Sequence, residues 1–281
     1  MTLLVTGSSS YIGRNLIDLL EKKKIHYIGI DINKPYNKNC KKIDITKLDQ
    51  LKRIRTKIDC IIHLAAVSNE RDARNDPFLT YKVNIIGLLN LINLAKVKNI
   101  KKFIFASTEW VYENQIKKKH LLDLEKCPNS YSNSKLISEI ALKSQNKIKY
   151  VILRFGIIYG NRSKNNMSAF DQIIKHLKYS NIIEIGSKKT ARSFIHIHDI
   201  VRGILAFVKC NNNYIIDLQG PEKISLGYLI KNAEKILKKK VIVKEKNPNK
   251  HSIRVIKFTK NKFFTPKIFV KDGINKVLNE Y

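Results

Sequence analysis

Tyr131 and Lys135, in the run Tyr131-Ser132-Asn133-Ser134-Lys135, have the types and spacing for proton chemistry. Pro128-Asn129-Ser130 just before them reads as a helix start. Residues at i and i+4 share one helix face, so an ammonium would stand beside a phenol. A phenol ionises near ~10, too high for a base at neutral pH. A nearby cation favours the phenolate and draws that value down, so Tyr131 could exchange a proton with a substrate oxygen. With 54 Lys and Arg residues in the chain, such pairs also arise on ordinary solvated helix faces. The pair gains meaning only from the framework around it.

That framework starts at the N-terminus. Leu3-Leu4-Val5 reads as a strand running into Thr6-Gly7-Ser8-Ser9-Ser10-Tyr11-Ile12-Gly13 and then into a helical pattern. A turn between a strand and a helix N-terminus presents backbone N–H groups and the positive end of the helix dipole to a pyrophosphate. Small residues let the backbone approach the phosphates. Asp31 closes the next strand, as part of Asp31-Ile32. A carboxylate there accepts hydrogen bonds from the adenosine ribose and repels a 2′-phosphate, which favours NAD over NADP.

Periodicity supplies the elements that must hold these residues. Leu3–Val5, Tyr27–Ile30, Cys60–Leu64, Phe103–Ala106 and Tyr150–Leu153 read as buried parallel strands. Ile12–Lys23, Thr80–Lys98 and Tyr131–Ser144 carry apolar residues at helical spacing. The alternation predicts an α/β fold with a doubly wound parallel sheet. Residues 1–155 read as the dinucleotide-binding domain, with 193–217 returning to it. Residues 156–281 read as a smaller α/β substrate lobe with helices at Ala169–Lys178, Ile197–Val208, Leu226–Lys238 and Val270–Leu278.

The net charge of +31 rests mainly on Lys: ten of the 54 basic residues are Arg, and Lys, Ile and Asn crowd the whole chain. That spread reads as compositional drift rather than a nucleic-acid groove, which would interleave Arg with aromatics. No apolar run approaches the roughly 20 residues needed to cross a membrane, and the N-terminus lacks a signal-peptide pattern. Cys40, Cys60, Cys127 and Cys210 are scattered, reading as reduced thiols with no metal site. The expectation is a cytoplasmic enzyme.

Taken together, these motifs resemble the extended short-chain dehydrogenase/reductases, the family of NAD-dependent nucleotide-sugar epimerases and dehydratases. The phosphate loop is similar to the family's Thr-Gly-x-x-Gly-x-x-Gly, with Ser10 in place of the middle glycine. Asp44-Ile45 resembles the pair that meets the adenine, and His63-Leu64-Ala65-Ala66 the strand end beside the cofactor. Asp76-Pro77, Tyr81, Asn84, Gly87 and Asn90-Leu91 match the long central helix. Arg154-Phe155-Gly156 with Tyr159-Gly160, and Arg192-x-Phe194-Ile195-His196 with Asp199, match the later segments.

The resemblance implies further roles. Lys135 would hold the nicotinamide ribose, and its ammonium with the oxidised nicotinamide ring would draw Tyr131 down as Tyr131 exchanges the proton. Thr108, three residues before Val111-Tyr112, would bind the reacting hydroxyl, with Ser107 a weaker candidate. Asn84 would support Lys135 through its backbone and a water. Gly7, Ser10, Tyr11, Ile12, Gly13, Asp31, Ile32, Asp44, Ile45, Leu64, Ala65 and Ala66 would line the cofactor, the Ser10 hydroxyl donating to the pyrophosphate. Arg192 and Arg254 would meet a nucleotide's diphosphate or base. A homodimer through Thr80–Lys98 and Tyr131–Ser144 is implied too.

The segment after Thr108 narrows the chemistry. The family's 4,6-dehydratases follow Thr with Asp-Glu; here Glu109 and Trp110 stand there, and Trp110 cannot abstract a proton. The C3/C5-epimerising relatives place a Cys at Trp110. What survives is hydride transfer on a nucleotide sugar, most simply at C4, by a 4-epimerase, 4-dehydrogenase or 4-ketoreductase. Ile157 and Lys257 replace residues that the family uses near the substrate. The competing reading is a dinucleotide-sensing or RNA-binding protein of the same fold, and reduction of a small carbonyl compound stays open.

Overall fold

The computed structural model describes residues 1–112, 123–160, 167–254 and 261–280; Lys257 lies outside them. In chain order the first half runs β1 (Thr2–Thr6), α1 (Tyr11–Lys22), β2 (His26–Asp31), β3 (Cys40–Lys42), α2 (Leu48–Lys52), β4 (Cys60–His63), α3 (Glu70–Asn75) and α4 (Pro77–Tyr81). A π-helical segment, Lys82–Ile86, leads into α5 (Gly87–Val97). Then come β5 (Lys102–Thr108), a 3₁₀ turn (Glu109–Tyr112), α6 (Ser130–Lys143) and β6 (Lys149–Phe155). The second half runs β7 (Ile157–Tyr159), α7 (Ala169–Tyr179), β8 (Ile182–Ile185), β9 (Ala191–Arg192), β10 (Phe194–His196), α8 (Ile197–Ala206) and β11 (Tyr214–Leu218). It ends with β12 (Ile224–Ser225), α9 (Leu226–Leu237), β13 (Ile242–Glu245), β14 (Ile253–Arg254) and α10 (Val270–Glu280).

Seven strands form one sheet in the order β11-β6-β5-β4-β1-β2-β3. β1 pairs in parallel with β2 on one side and β4 on the other. The chain therefore reverses its direction of travel across the sheet at β1, the switch point outside whose strand ends ligands bind in doubly wound folds. The strands are buried on both faces: Leu3, Leu4, Val5, Ile61, Ile62, Phe103 and Ile152 are inaccessible to solvent. That is why they read as continuous apolar runs rather than alternating ones.

The chain divides into two compact units, Met1–Arg154 with Ile204–Ile216, and Phe155–Gly203 with Asp217–Tyr281. The sequence reading returned residues 193–217 to the first unit. Residues 193–203 belong to the second, because β10 pairs with β7 there, Phe194 against Ile157. The first unit's core gathers Leu4, Ile30, Ile61, Leu88, Leu91, Phe103, Phe105 and Ile152. The second has its own, around Tyr159, Phe170, Ile174, Phe194, Leu229, Ile230 and Ile274. Its strands form smaller sheets, β10-β7, β12-β9-β14 and β13-β8.

The segment expected as one helix over Thr80–Lys98 is broken in type but continuous in space. Pro77 opens α4, with the Asp76 side chain capping the Leu79 N–H at 2.8 Å. Contrary to the sequence reading, which found no apolar run of membrane-crossing length, Pro77–Val97 is long and apolar enough by length and composition alone to cross a membrane. Here it packs Leu88, Leu91, Ile92, Leu94 and Ala95 into the first unit's core.

Candidate active site

The loop between β1 and α1 is tied by its own bonds. Gly7 sits at φ +71, and a Cβ there would meet the Ala65 nitrogen at 2.7 Å. Only glycine combines that backbone with so close an approach to the end of β4. Gly13 is equally confined: its Cβ would lie 2.1 Å from the Gly7 carbonyl oxygen. Ser10 was expected to give its hydroxyl to a pyrophosphate. Its Oγ accepts the Gly13 N–H at 3.1 Å and caps α1, satisfying a donor the first helical turn would otherwise leave open, while its O–H keeps its own proton to donate. Tyr11 and Ile12 form the first turn of α1, both half-buried.

At the end of β2, Asp31 is buried, and its carboxylate accepts Ser9 N–H on Oδ2 and Asn33 N–H on Oδ1, each at 2.9 Å. The carboxylate is thereby fixed where the strand ends. Asp44 accepts both Thr46 N–H and Thr46 Oγ1 at 2.8 Å, while Ile45 is buried and gives its carbonyl to Asn90. A cavity of about 550 Å³ opens among Ile32, Lys41, Lys42, Ile43, Asp44, Gln50, Arg53 and Ile54. The lysines and Arg53 lining it were not singled out from sequence; nothing in their spacing marks them in so basic a chain.

At the end of β4, the Thr6 hydroxyl bonds His63 Nδ1 at 2.7 Å and accepts the Ala65 N–H at 3.2 Å, while Leu64 N–H reaches the Thr6 carbonyl. Burial holds His63 neutral, its pKa lowered to about 3. Ala66 follows on the half-buried stretch after β4.

The candidate catalytic pair lies on α6, capped by Asn129, whose side chain accepts the Ser132 N–H. Tyr131 is half-buried and hydrogen-bonds Thr108, the last residue of β5. Thr108 Oγ1 also accepts the Trp110 N–H at 3.3 Å. Lys135 is 3% exposed; its Nζ donates to the Ala106 carbonyl at 2.8 Å and lies 4.8 Å from the Phe105 ring centroid. The sequence argument had Lys135 and an oxidised nicotinamide ring together drawing Tyr131 down. The protein by itself does the reverse: burial pushes Tyr131 up to about 12, opposed only by the Thr108 hydroxyl. The same loss of hydration pulls Lys135 down to about 7, opposed by Glu139. An ammonium turned onto a carbonyl and a ring face is not spent on the phenol.

Asn84 lies within the π-helical segment, a local widening often found at functional sites. The resemblance implied that it supports Lys135 through its backbone and a water. Its backbone carbonyl accepts Ser138 Oγ at 3.0 Å. The Asn84 side chain clamps both backbone groups of Val67, at 2.9 and 3.1 Å, and donates to Ser134 Oγ at 2.9 Å. Asn84 thus staples the segment after β4 onto the helix bearing Tyr131 and Lys135. Ser107 donates to Glu139. Glu139, one turn after Lys135, escaped the sequence reading; the Lys-x-x-x-Glu spacing was the available signal.

In the second unit, Arg192 on β9 donates to the Ala191 and Ser252 carbonyls and to Ser252 Oγ at 2.7 to 2.9 Å. Parallel pairing of β14 with β9 puts Arg254 at the register position of Arg192. Ile157 lies in β7.

This constellation fits a dinucleotide by its own chemistry: a glycine-tight loop leading into a helix, and a carboxylate fixed at the next strand end. Among the described residues no cluster of His, Cys, Asp and Glu suits a metal ion. Comparison with known proteins agrees. The chain is 29% identical to the UDP-glucuronate 4-epimerase of Thermodesulfobacterium geofontis, over 98% of this chain and 94% of that one. It superposes on the UDP-glucose 4-epimerase of Thermotoga maritima, solved with UDP-glucose, with a TM-score of 0.86 at 22% identity, covering 100% and 98% of the two chains. The UDP-glucuronic acid 4-epimerase of Bacillus cereus, solved with UDP-glucuronic acid and NAD, gives 0.82 at 25% identity with the same coverage. The NAD dependent epimerase/dehydratase family profile matches residues 3–216, and the chain belongs to that family.

Proposed function

We propose that the protein is an NAD-dependent C4 epimerase of a UDP-sugar, with UDP-glucuronate the first substrate to test. The carrying observation is the Thr108–Tyr131 hydrogen bond beside the buried Lys135, at the strand ends next to the dinucleotide loop. NAD, when bound, supplies the acceptor and donor of the C4 hydride. Tyr131 Oη takes the proton of the C4 hydroxyl during oxidation and returns it during reduction. Thr108 Oγ1 orients that hydroxyl. Lys135 holds the nicotinamide ribose, and Asp31 the adenosine ribose, excluding a 2′-phosphate. Trp110 leaves no base for eliminating water. Arg192 and Arg254 serve the diphosphate. The activities of the similar proteins, which are C4 epimerases of UDP-sugars, support the substrate class.

The test is incubation with UDP-glucuronate, UDP-glucose and UDP-N-acetylglucosamine, following the C4 epimers by proton NMR. Epimer formation without net NADH supports the reading. Net NADH, or no turnover of any UDP-sugar, overturns it.

The second part of the proposal is a homodimer. Phe78, Leu79, Ile86 and Leu89 on the central helical run, and Ile140 on α6, are 43–76% exposed, an apolar set that a second copy would cover. Leu89→Glu should convert a dimer to a monomer in light scattering; a wild-type monomer at micromolar concentration would refute it. The cysteines are free thiols, as suits a reducing cytoplasm.

A further inference from the structure

Among the buried charged groups to which the family reading gives no task, Glu139 stands nearest the candidate pair on α6. Glu139 is 1% exposed, one helical turn beyond Lys135 on α6. Its Oε1 accepts Ser107 Oγ at 2.5 Å and Arg154 Nε at 2.9 Å, and its Oε2 accepts Arg154 Nη2 at 2.5 Å. Arg154, from β6, also gives Nη1 to the Tyr112 hydroxyl at 2.6 Å, with its Cζ 4.8 Å from that ring's centroid. Ser107 is the residue before Thr108, and Tyr112 ends the 3₁₀ turn that follows it. Four side chains from β5, the turn, α6 and β6 thus meet inside the first unit.

A buried ion pair is weak support for stability, since apolar residues of similar volume often serve as well. Its forked, charge-assisted bonds are nevertheless geometrically specific. Here they run from the strand end carrying Thr108 to the helix carrying Tyr131 and Lys135.

We propose that Glu139 is a positioning residue for hydride transfer: through Ser107 and Arg154 it fixes the end of β5 against α6 in the register where the Thr108 and Tyr131 hydroxyls meet. The inference rests on Tyr131 being the proton-exchanging group. The titratable neighbours of the Lys135 ammonium are Glu139 on its own helix and neutral His63 at the end of β4, with Arg154 of β6 on the far side of Glu139. Glu139 is the group opposing the desolvation that draws Lys135 down, so its loss carries a pH signature.

Glu139→Gln keeps the shape and removes the charge. It should lower kcat about 100-fold, the scale of a misplacement near 1 Å, with KM for the UDP-sugar within about twofold. The alkaline limb of its pH profile should move to lower pH, and Glu139→Asp should recover part of kcat. Trp110, the chain's single tryptophan, lies two residues after Thr108 and gives it its backbone N–H, so a displaced strand end carries the indole with it and its emission should shift in the free variant. Replacing both partners, Glu139→Met with Arg154→Met, should restore the melting temperature but not kcat. Recovery of both would assign Glu139 to stability alone and overturn the proposal. So would wild-type kcat and pH profile in E139Q or, should E139Q not fold, unchanged kcat in Ser107→Ala, which keeps the ion pair. Tyr131→Phe run alongside separates two failures. A fully active Y131F overturns the reading of Tyr131 and this inference with it; an inactive Y131F beside a wild-type E139Q overturns the positioning role alone.

Discussion

The two units of this protein solve different problems with different materials. The first rests on parallel strands of up to seven residues, paired β4–β1–β2 around the switch point, and its candidate chemical groups stand at the ends of β1, β2, β4 and β5 and on α6. The second is assembled from sheets of two or three strands, some only two residues long, and its candidate groups are arginines at β9 and β14. Moving a hydride and a proton demands placement to within about 1 Å. Gripping a phosphate demands charge and a fork of donors, which short strands can present. The contrast predicts that damage to the first unit appears in kcat and damage to the second in KM.

The sharpest way to break that comparison is Tyr131→Phe. It should cost about 10³-fold in kcat, within the range of general acid–base catalysis, while KM for the UDP-sugar stays within a few-fold. A variant whose loss lay in KM would put Tyr131 in recognition instead. Next in size, Arg192→Ala should raise KM for the UDP-sugar about 10- to 100-fold, as for a lost charged hydrogen bond, and change kcat little. A kcat loss as large as that of Y131F would erase the distinction between the units.

The smallest effect concerns what the units share. Each buries a histidine held neutral by desolvation, His63 in the first and His196 in the second, both lowered from 6.5 to about 3. The unfolded chain protonates these rings below pH 6.5 while the folded chain does not, so unfolding takes up protons as pH falls. Stability is therefore complete above pH 6.5 and is lost as pH falls from 6.5 toward 3. His63→Gln should flatten that acid limb, measured as urea midpoints at pH 7, 5 and 4. An unchanged slope would remove His63 from the account.

How much was legible follows from the same contrast. The strands β1, β4, β5 and β6 announce themselves because burial on both faces leaves unbroken apolar runs such as Leu3-Leu4-Val5. β3, Cys40-Lys41-Lys42, does not, since an edge strand with two exposed lysines carries no apolar run. The two-residue strands of the second unit are too short for any period to register. Within the site, Tyr131, Lys135 and Thr108 could be found because local spacing carries them. The orientation of Lys135 toward Ala106, the π-helical turn under Asn84 and the Glu139–Arg154 pair could not. Each depends on a partner from another element, and an isolated carboxylate on a helix looks like surface charge until its arginine is found 15 residues on.

The bonding of the loop after β1 has a kinetic consequence. Ser10 Oγ takes the Gly13 N–H, Ser10 N–H the Gly7 carbonyl, Ser9 N–H the Asp31 carboxylate, Ser8 N–H the Ile30 carbonyl, and Arg14 Nε the Ser9 carbonyl. A loop so tied surrenders its conformational freedom when the chain folds, not when a ligand arrives. Capture of the dinucleotide then has no disorder-to-order step to wait for, and its association rate should rise in simple proportion to ligand concentration, without a plateau.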